Sequence, residues 1–236
     1  MASADVTNAT VEEPGEGGAR DTIRIVAEGI VFGIRSGQMV PGQHLAESDL
    51  TKRFGISRGS LREALKQLAS DGLVTLSRFR GAYIAALDRN GVRDLLDVLE
   101  PLCTLAARLA AANCRSDEQK AEPKAIAADL LRGAGDGRAM YLERRQAFYD
   151  LLIEIGGNTE LGRVIPLART DLFRAQFDTV LTREQQKRHA AGYSKIAEAV
   201  AANDLAKAER AVRKHFAGTR ETLAALPEHT FPFNPG

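Results

Sequence analysis

The sequence predicts a mainly α protein in two parts: a helix-turn-helix unit with a β-hairpin, then an all-α helical bundle. Three observations lead there. Apolar residues recur at helical spacing over most of the chain from Asp21 to Leu226. Two short helical segments meet around Gly55, and the second carries a row of basic residues. Strand-like alternation is confined to "LVTLS" and "AYIAAL", which flank "RFRG". With 236 residues the chain can build two modest cores.

Taken in order, "MASADVTNATVEEPGEGGAR" is rich in Gly, Glu and Ala, and residues 1–20 are expected to form a disordered tail. From Asp21 to Ser36, Ile23, Ala27, Ile30 and Ile34 mark a first helix, which Gly37, Pro41 and Gly42 stop. Glu47 to Phe54 is a short second helix with Leu50 and Phe54 inward, ended by Gly55. A third helix opens around Ser57 to Ser60. Its Leu61, Ala64, Leu65 and Leu68 share one face, while Arg58, Arg62 and Lys66 sit at steps of four on the other. The hairpin follows, with Arg78, Arg80 and Gly81 at its tip. Past Asp88, Ala- and Leu-rich amphipathic segments are broken at Gly133 to Gly137, Gly156-Gly157, Asp178 to Thr182 and Asn203. They predict five to seven helices between about Leu95 and Leu226. The boundaries are therefore a tail over 1–20, a first domain over 21–87, a helical domain over 88–226 and a polar tail over 227–236.

Composition removes several classes of function. Apolar residues make up 44% and charged residues 27%, and no run approaches the roughly 18 apolar residues of a membrane span. The start has no basic segment followed by an apolar one, as a secretory signal requires. Cys103 and Cys114 lie eleven residues apart in one helical pattern, roughly 16 Å along the axis, too far to bridge. Together these features predict a cytoplasmic protein with reduced thiols. There is no Gly-rich phosphate loop after a strand, no supported nucleophile and no metal-ligand spacing, so neither an enzyme nor a bound cofactor is expected.

Net charge is only +1, yet between Leu45 and Gly81 basic residues exceed acidic ones by three. Local positive charge of this kind suits DNA, because phosphate contacts release counterions and supply most non-specific affinity. Arginine adds base recognition through its planar fork, which pairs with guanine O6 and N7. Arg58 and Arg62 sit near the start of the second helix of the pair, where a recognition helix meets base edges. Gly59 leaves room for close approach to a phosphate.

"PGQHLAESDLTKRFGISRGSLREALKQLASDGLVTLSRFRGAYIA" resembles the winged helix of the GntR family of bacterial transcription regulators. The resemblance rests on the Pro-Gly entry, the Ser-Arg turn, "LREAL", the "DGLV" exit and a Gly-containing wing, and it covers about Asp21 to Leu87. Members usually show Thr-Pro where this chain has Gly59-Ser60. The resemblance implies operator contacts by Ser57, Arg58, Gly59 and Arg62, with the wing around Gly81 reaching the adjacent minor groove. Lys66, Arg78 and Arg80 complete the expected DNA-binding set on charge.

The remainder is similar to the helical effector domain of the FadR-like subgroup of that family, through "DLLDVLEPLCTLAARLAA", "AFYDLLIEIGGNTEL" and "IAEAVAANDLAKAERAVRKHF". One recognition helix reads only a few base pairs, so a dimer on a palindromic operator is expected, and the resemblance implies the bundle as the dimer seat. Many members hold a divalent metal through one Asp and three His. The corresponding positions here are Arg145, Tyr149, Tyr193 and His215, and a guanidinium and two phenols cannot replace a carboxylate and two imidazoles. No metal is expected there, and His189 beside His215 lacks a carboxylate to complete a site.

Helical geometry independently turns Arg145 and Tyr149 toward Leu142, Phe148 and Leu152. It puts Tyr193 on a face with His189, Ile196 and Val200, and His215 with Leu205, Ala208, Val212 and Thr219. An unpaired buried guanidinium costs several kcal/mol, so Arg145 requires either an internal carboxylate or an anionic ligand. The second alternative predicts a small organic acid effector held by Arg145, with Tyr149, Tyr193, His215 and His189 around it. Ligand-relieved repression is then the expected mode, with an unregulated DNA-binding dimer or metal-dependent sensing as the alternatives.

Overall fold

The computed structural model describes residues 16–134 and 137–231. The first domain runs α1 (Glu16–Ser36), β1 (His44–Leu45), α2 (Glu47–Phe54), α3 (Arg58–Ser70), β2 (Val74–Ser77) and β3 (Gly81–Ile84). Helix α1 starts five residues before Asp21, so residues 16–20 are helical where a tail is expected. The rest of that expected tail, 1–15, lies outside the described residues. The buried seam of α1 is Val26, Ile30 and Ile34, with Ile23 and Ala27 at its edge. It packs on Leu61, Ala64, Leu65 and Leu68 of α3, the apolar face expected from the spacing.

The hairpin β2–β3 has the register Thr75 opposite Tyr83 and Leu76 opposite Ala82. Strand β1 adds to its other edge, giving a three-stranded antiparallel sheet in the order β1-β3-β2. Two residues carry no period, so β1 has no signature in the sequence. Val74, Ala82 and Ile84 close the core from the sheet side.

The second domain consists of α4 (Arg89–Asn113), α5 (Asp117–Arg132), α6 (Arg138–Gly156), α7 (Thr159–Val164), α8 (Leu167–Phe177), α9 (Arg183–Ala201) and α10 (Leu205–Ala224). The expected break at Gly133 to Gly137 is described except for residues 135 and 136. Helix starts follow local chemistry: Asp88 Oδ1 accepts the Gly91 N–H at 2.7 Å, and Ser116 and Thr182 each form reciprocal capping boxes with Gln119 and Gln185. Small residues on α4, Ala106, Ala107, Ala110 and Ala111, are buried where α6, α9 and α10 approach it.

The expected tail over 227–236 is in part structured. A 3₁₀ turn spans Glu228–Thr230, and Phe231 is buried with its ring centroid 5.1 Å from that of Phe177. Arg89 lies over the Phe231 ring at 4.2 Å and donates to Glu228 at 2.9 Å. Burial of an aromatic ring offsets the entropy of ordering this short segment. Residues 232–236 lie outside the described set.

Helix α8 belongs to both cores. Leu172 and Ala175 are buried with α1 and α3, whereas Phe173 and Phe177 are buried in the bundle. Beside it, the Gln176 amide brackets the domain junction, accepting from Leu87 N at 2.9 Å and donating to Leu87 O at 2.8 Å. Among the described residues no helix is long and apolar enough to cross a membrane.

Candidate functional site

The basic surface is built from α3 and the hairpin tip. Ser57 is in extended conformation and its Oγ accepts the Ser60 N–H at 3.1 Å, so the Ser-Arg turn is the cap of α3. Ser57, Arg58, Gly59, Arg62, Lys66, Arg78, Arg80 and Gly81 are all exposed. Arg62 donates through Nε to Glu47 of α2 at 3.3 Å, and Lys66 to Glu63 at 2.7 Å. Exposed pairs of this kind contribute about 0–1 kcal/mol, so both cations exchange readily onto a phosphate or base.

A Cβ at Gly59 would meet only Ser57 Oγ, at 3.7 Å, so nothing inside the protein requires glycine there. Gly81 differs: its φ is +85° and a Cβ would lie 3.1 Å from His44 Nε2, which makes glycine a condition of the wing's geometry. Between Arg78 and Arg80, Phe79 is 92% exposed. It is absent from the charge-based set, although "RFRG" displays it, and an apolar ring between two arginines suits insertion at a groove floor.

The second site is the polar cluster inside the bundle. Arg145 and Tyr149 on α6, Tyr193 on α9 and His215 on α10 are all buried, and Tyr149 and Tyr193 meet edge to face at 6.1 Å. Tyr193 and His215 are 4.7 Å apart by ring centroids, and His215 and His189 4.2 Å. Helical spacing therefore brings the five residues together.

Of the two partners left open for Arg145, the structure supplies the internal carboxylate. Arg145 Nη1 donates to Asp171 Oδ1 at 3.1 Å, and Asp171 is 1% exposed. Its other oxygen accepts Arg35 Nε of α1 at 2.6 Å. One carboxylate on α8 thus joins a cation of the bundle core to a cation of the first domain. No spacing rule could find Asp171, because its partners are 26 and 136 residues away.

The space enclosed beside Arg145, Tyr149 and Tyr193 is about 10 Å³, room for about one water. No organic acid fits among these residues as they stand. Nor does the cluster fit a divalent metal, and among the described residues no group of three or more His, Cys, Asp and Glu side chains gathers elsewhere.

Burial works against the charge of Arg145, and the Asp171 carboxylate beside it favours that charge. Burial likewise raises the Asp171 carboxyl, with Arg145 and Arg35 pulling it back toward ionisation. Burial and then the Arg174 guanidinium push His189 well below the ordinary imidazole range and His215 down to about 3. Both imidazoles are neutral, and Tyr141 Oη lies 2.9 Å from His189 Nδ1. Burial also pushes the Cys103 thiol up to about 11, which keeps it unreactive.

Packing around His215 depends on a missing side chain: a Cβ at Gly192 would fall 2.2 Å from its Nδ1. Gly192→Ala is expected to destabilise the protein by about 1–3 kcal/mol through overpacking, despite the better helix propensity of alanine. Urea unfolding of the variant checks this, and an unchanged midpoint would show that His215 moves freely.

Two family models match the chain. Residues 22–84 match the bacterial regulatory proteins of the gntR family, and residues 94–218 match the FCD domain. The HTH-type transcriptional repressor GlaR of Escherichia coli (strain K12) is 29% identical over 188 residues, covering 76% of this chain and 85% of GlaR. The HTH-type transcriptional regulator YdhC of Bacillus subtilis (strain 168) is 28% identical over 135 residues, 56% of this chain and 59% of YdhC. The crystal structure of a GntR transcriptional regulator from Rhodococcus sp. RHA1 has a TM-score of 0.73 at 18% identity, covering 88% of this chain and all of that one, and so shares the fold.

Proposed function

Since this chain belongs to the gntR family of bacterial regulatory proteins and carries an FCD domain, a DNA-binding transcription regulator, we propose that it is a homodimeric repressor released from a palindromic operator by a small organic acid. The observation that carries the DNA half is the exposed row Arg58, Arg62 and Lys66 on a Ser57-capped helix, beside a wing tipped with Arg78 and Arg80. One recognition helix meets only a few base pairs, so two are needed for a selective site.

Asp171 and α8 support the regulatory half. A ligand that favours one arrangement of Arg145 and its neighbours also acts on Arg35, because both bind the same carboxylate. A 10²-fold difference in affinity between the two states corresponds to roughly 2.7 kcal/mol, within the range of one charge-assisted contact.

The test is selection of duplexes from a randomised pool by the full chain. Enrichment of two inverted half-sites about one helical turn apart is expected, and recovery of no sequence preference would overturn the proposal. On the selected duplex Arg62→Ala should cost about 1–3 kcal/mol and relax the preference at one base pair in each half-site. Unchanged affinity and selectivity would remove Arg62 from the recognition set.

A further inference from the structure

Next to the closed Arg145 cluster, a groove of about 570 Å³ opens between α8, α9 and α10. Its floor is apolar, with Phe173 and Phe177 on α8, yet Arg174 of the same helix enters it. The Arg174 Nε is buried without a hydrogen-bond partner, while a terminal nitrogen touches His189 Nε2. Neutral imidazole cannot balance the guanidinium, and the nearby Asp171 carboxylate already serves Arg145 and Arg35. At the rim, Lys207, Arg210 and Lys214 stand at i, i+3 and i+7 along one face of α10.

We infer that this groove is a binding site for an amphipathic organic anion, whose acidic group meets Arg174 and whose apolar body lies along Phe173 and Phe177. The volume falls in the range of pockets for compact organic ligands. A carboxylate at Arg174 would supply the missing acceptor of a buried donor, and the α10 cations would draw the anion in. Arg174 and His215 also wall the Arg145 cluster, so the groove and the cluster share side chains. The inference rests on the reading that the bundle senses an organic acid, and it names the surface and the ligand class.

The test is thermal unfolding of the full chain with octanoate, acetate and 1-octanol as separate probes. Octanoate at ten times its Kd should raise Tm by about 3–6 °C, while acetate and 1-octanol do not. Arg174→Met should abolish the shift. So should Gly218→Leu, which projects into the groove where an added Cβ meets nothing within 4 Å. No shift with octanoate, an equal shift with 1-octanol, or a shift retained in both variants would overturn the site. If Gly218→Leu instead converts a dimer to a monomer, the groove is an interface between copies and the assignment is wrong. A shift that behaves as expected, with duplex affinity unaltered by octanoate, would keep the site and overturn only its role in releasing DNA.

Discussion

Replacing Asp171 by alanine is expected to cost about 3–5 kcal/mol of folding stability, the range for removing one partner of a buried ion pair. The reason is asymmetric burial. The Arg145 side chain is 4% exposed, and without Asp171 its charge has no carboxylate, whereas Arg35 is 24% exposed and can turn to solvent. Arg145→Leu should cost less than Asp171→Ala, because it removes the buried cation and leaves Asp171 paired with Arg35. Urea unfolding of the two variants, compared at constant m-value, checks the order, and a reversed order would show that Asp171 is the dispensable partner. Since Arg35 ends α1, the same change should also loosen the DNA-binding domain from α8.

The second large effect is acid sensitivity. His189 and His215 are held neutral in the folded chain, the latter with its pKa down at about 3, by burial and by Arg174 and Arg145. An unfolded histidine takes up its proton near pH 6.5, so below that the unfolded state binds more protons and stability falls with pH. The loss begins near 6.5 and continues toward about 3, with a slope of about 1.4 kcal/mol per pH unit for each histidine. Between pH 7 and pH 5 the two together remove about 4 kcal/mol. Asp171, raised by burial, opposes this at the acid end of the range. Unfolding free energies at pH 5, 6 and 7 measure the slope, and His215→Gln should roughly halve it. A slope unchanged in that variant would mean that other groups carry the acid response.

Much of the fold is legible in the sequence because its signals are local. The i, i+3, i+4, i+7 set Leu61, Ala64, Leu65 and Leu68 and the break at Gly55 define α2 and α3 without tertiary information. Inward placement of Arg145, Tyr149, Tyr193 and His215 follows from the period of each helix. What is hidden has a common cause in long-range contact. Asp171 sits in a helix of low amphipathicity because α8 is apolar on two faces, toward two cores, so its partners on α1 and α6 leave no pattern in "LARTDLFRAQF". Phe231 similarly lies in a stretch rich in Pro and polar residues and is ordered by Phe177 and Arg89. Arg174, the cation at the edge of the closed cluster, is one of many arginines until the groove beside it is seen.

Recognition of DNA by the α3 and wing surface is the claim on which the rest depends, and salt dependence of affinity for the selected duplex tests it most directly. If Arg58, Lys66, Arg78 and Arg80 of each protomer lie on the duplex, log K falls linearly with log salt, with a slope of about −0.9 per phosphate contact, and Lys66→Ala in both protomers reduces it by about two. A slope near zero, or one that Lys66 and the wing arginines leave unchanged, would contradict the assignment of this surface to DNA.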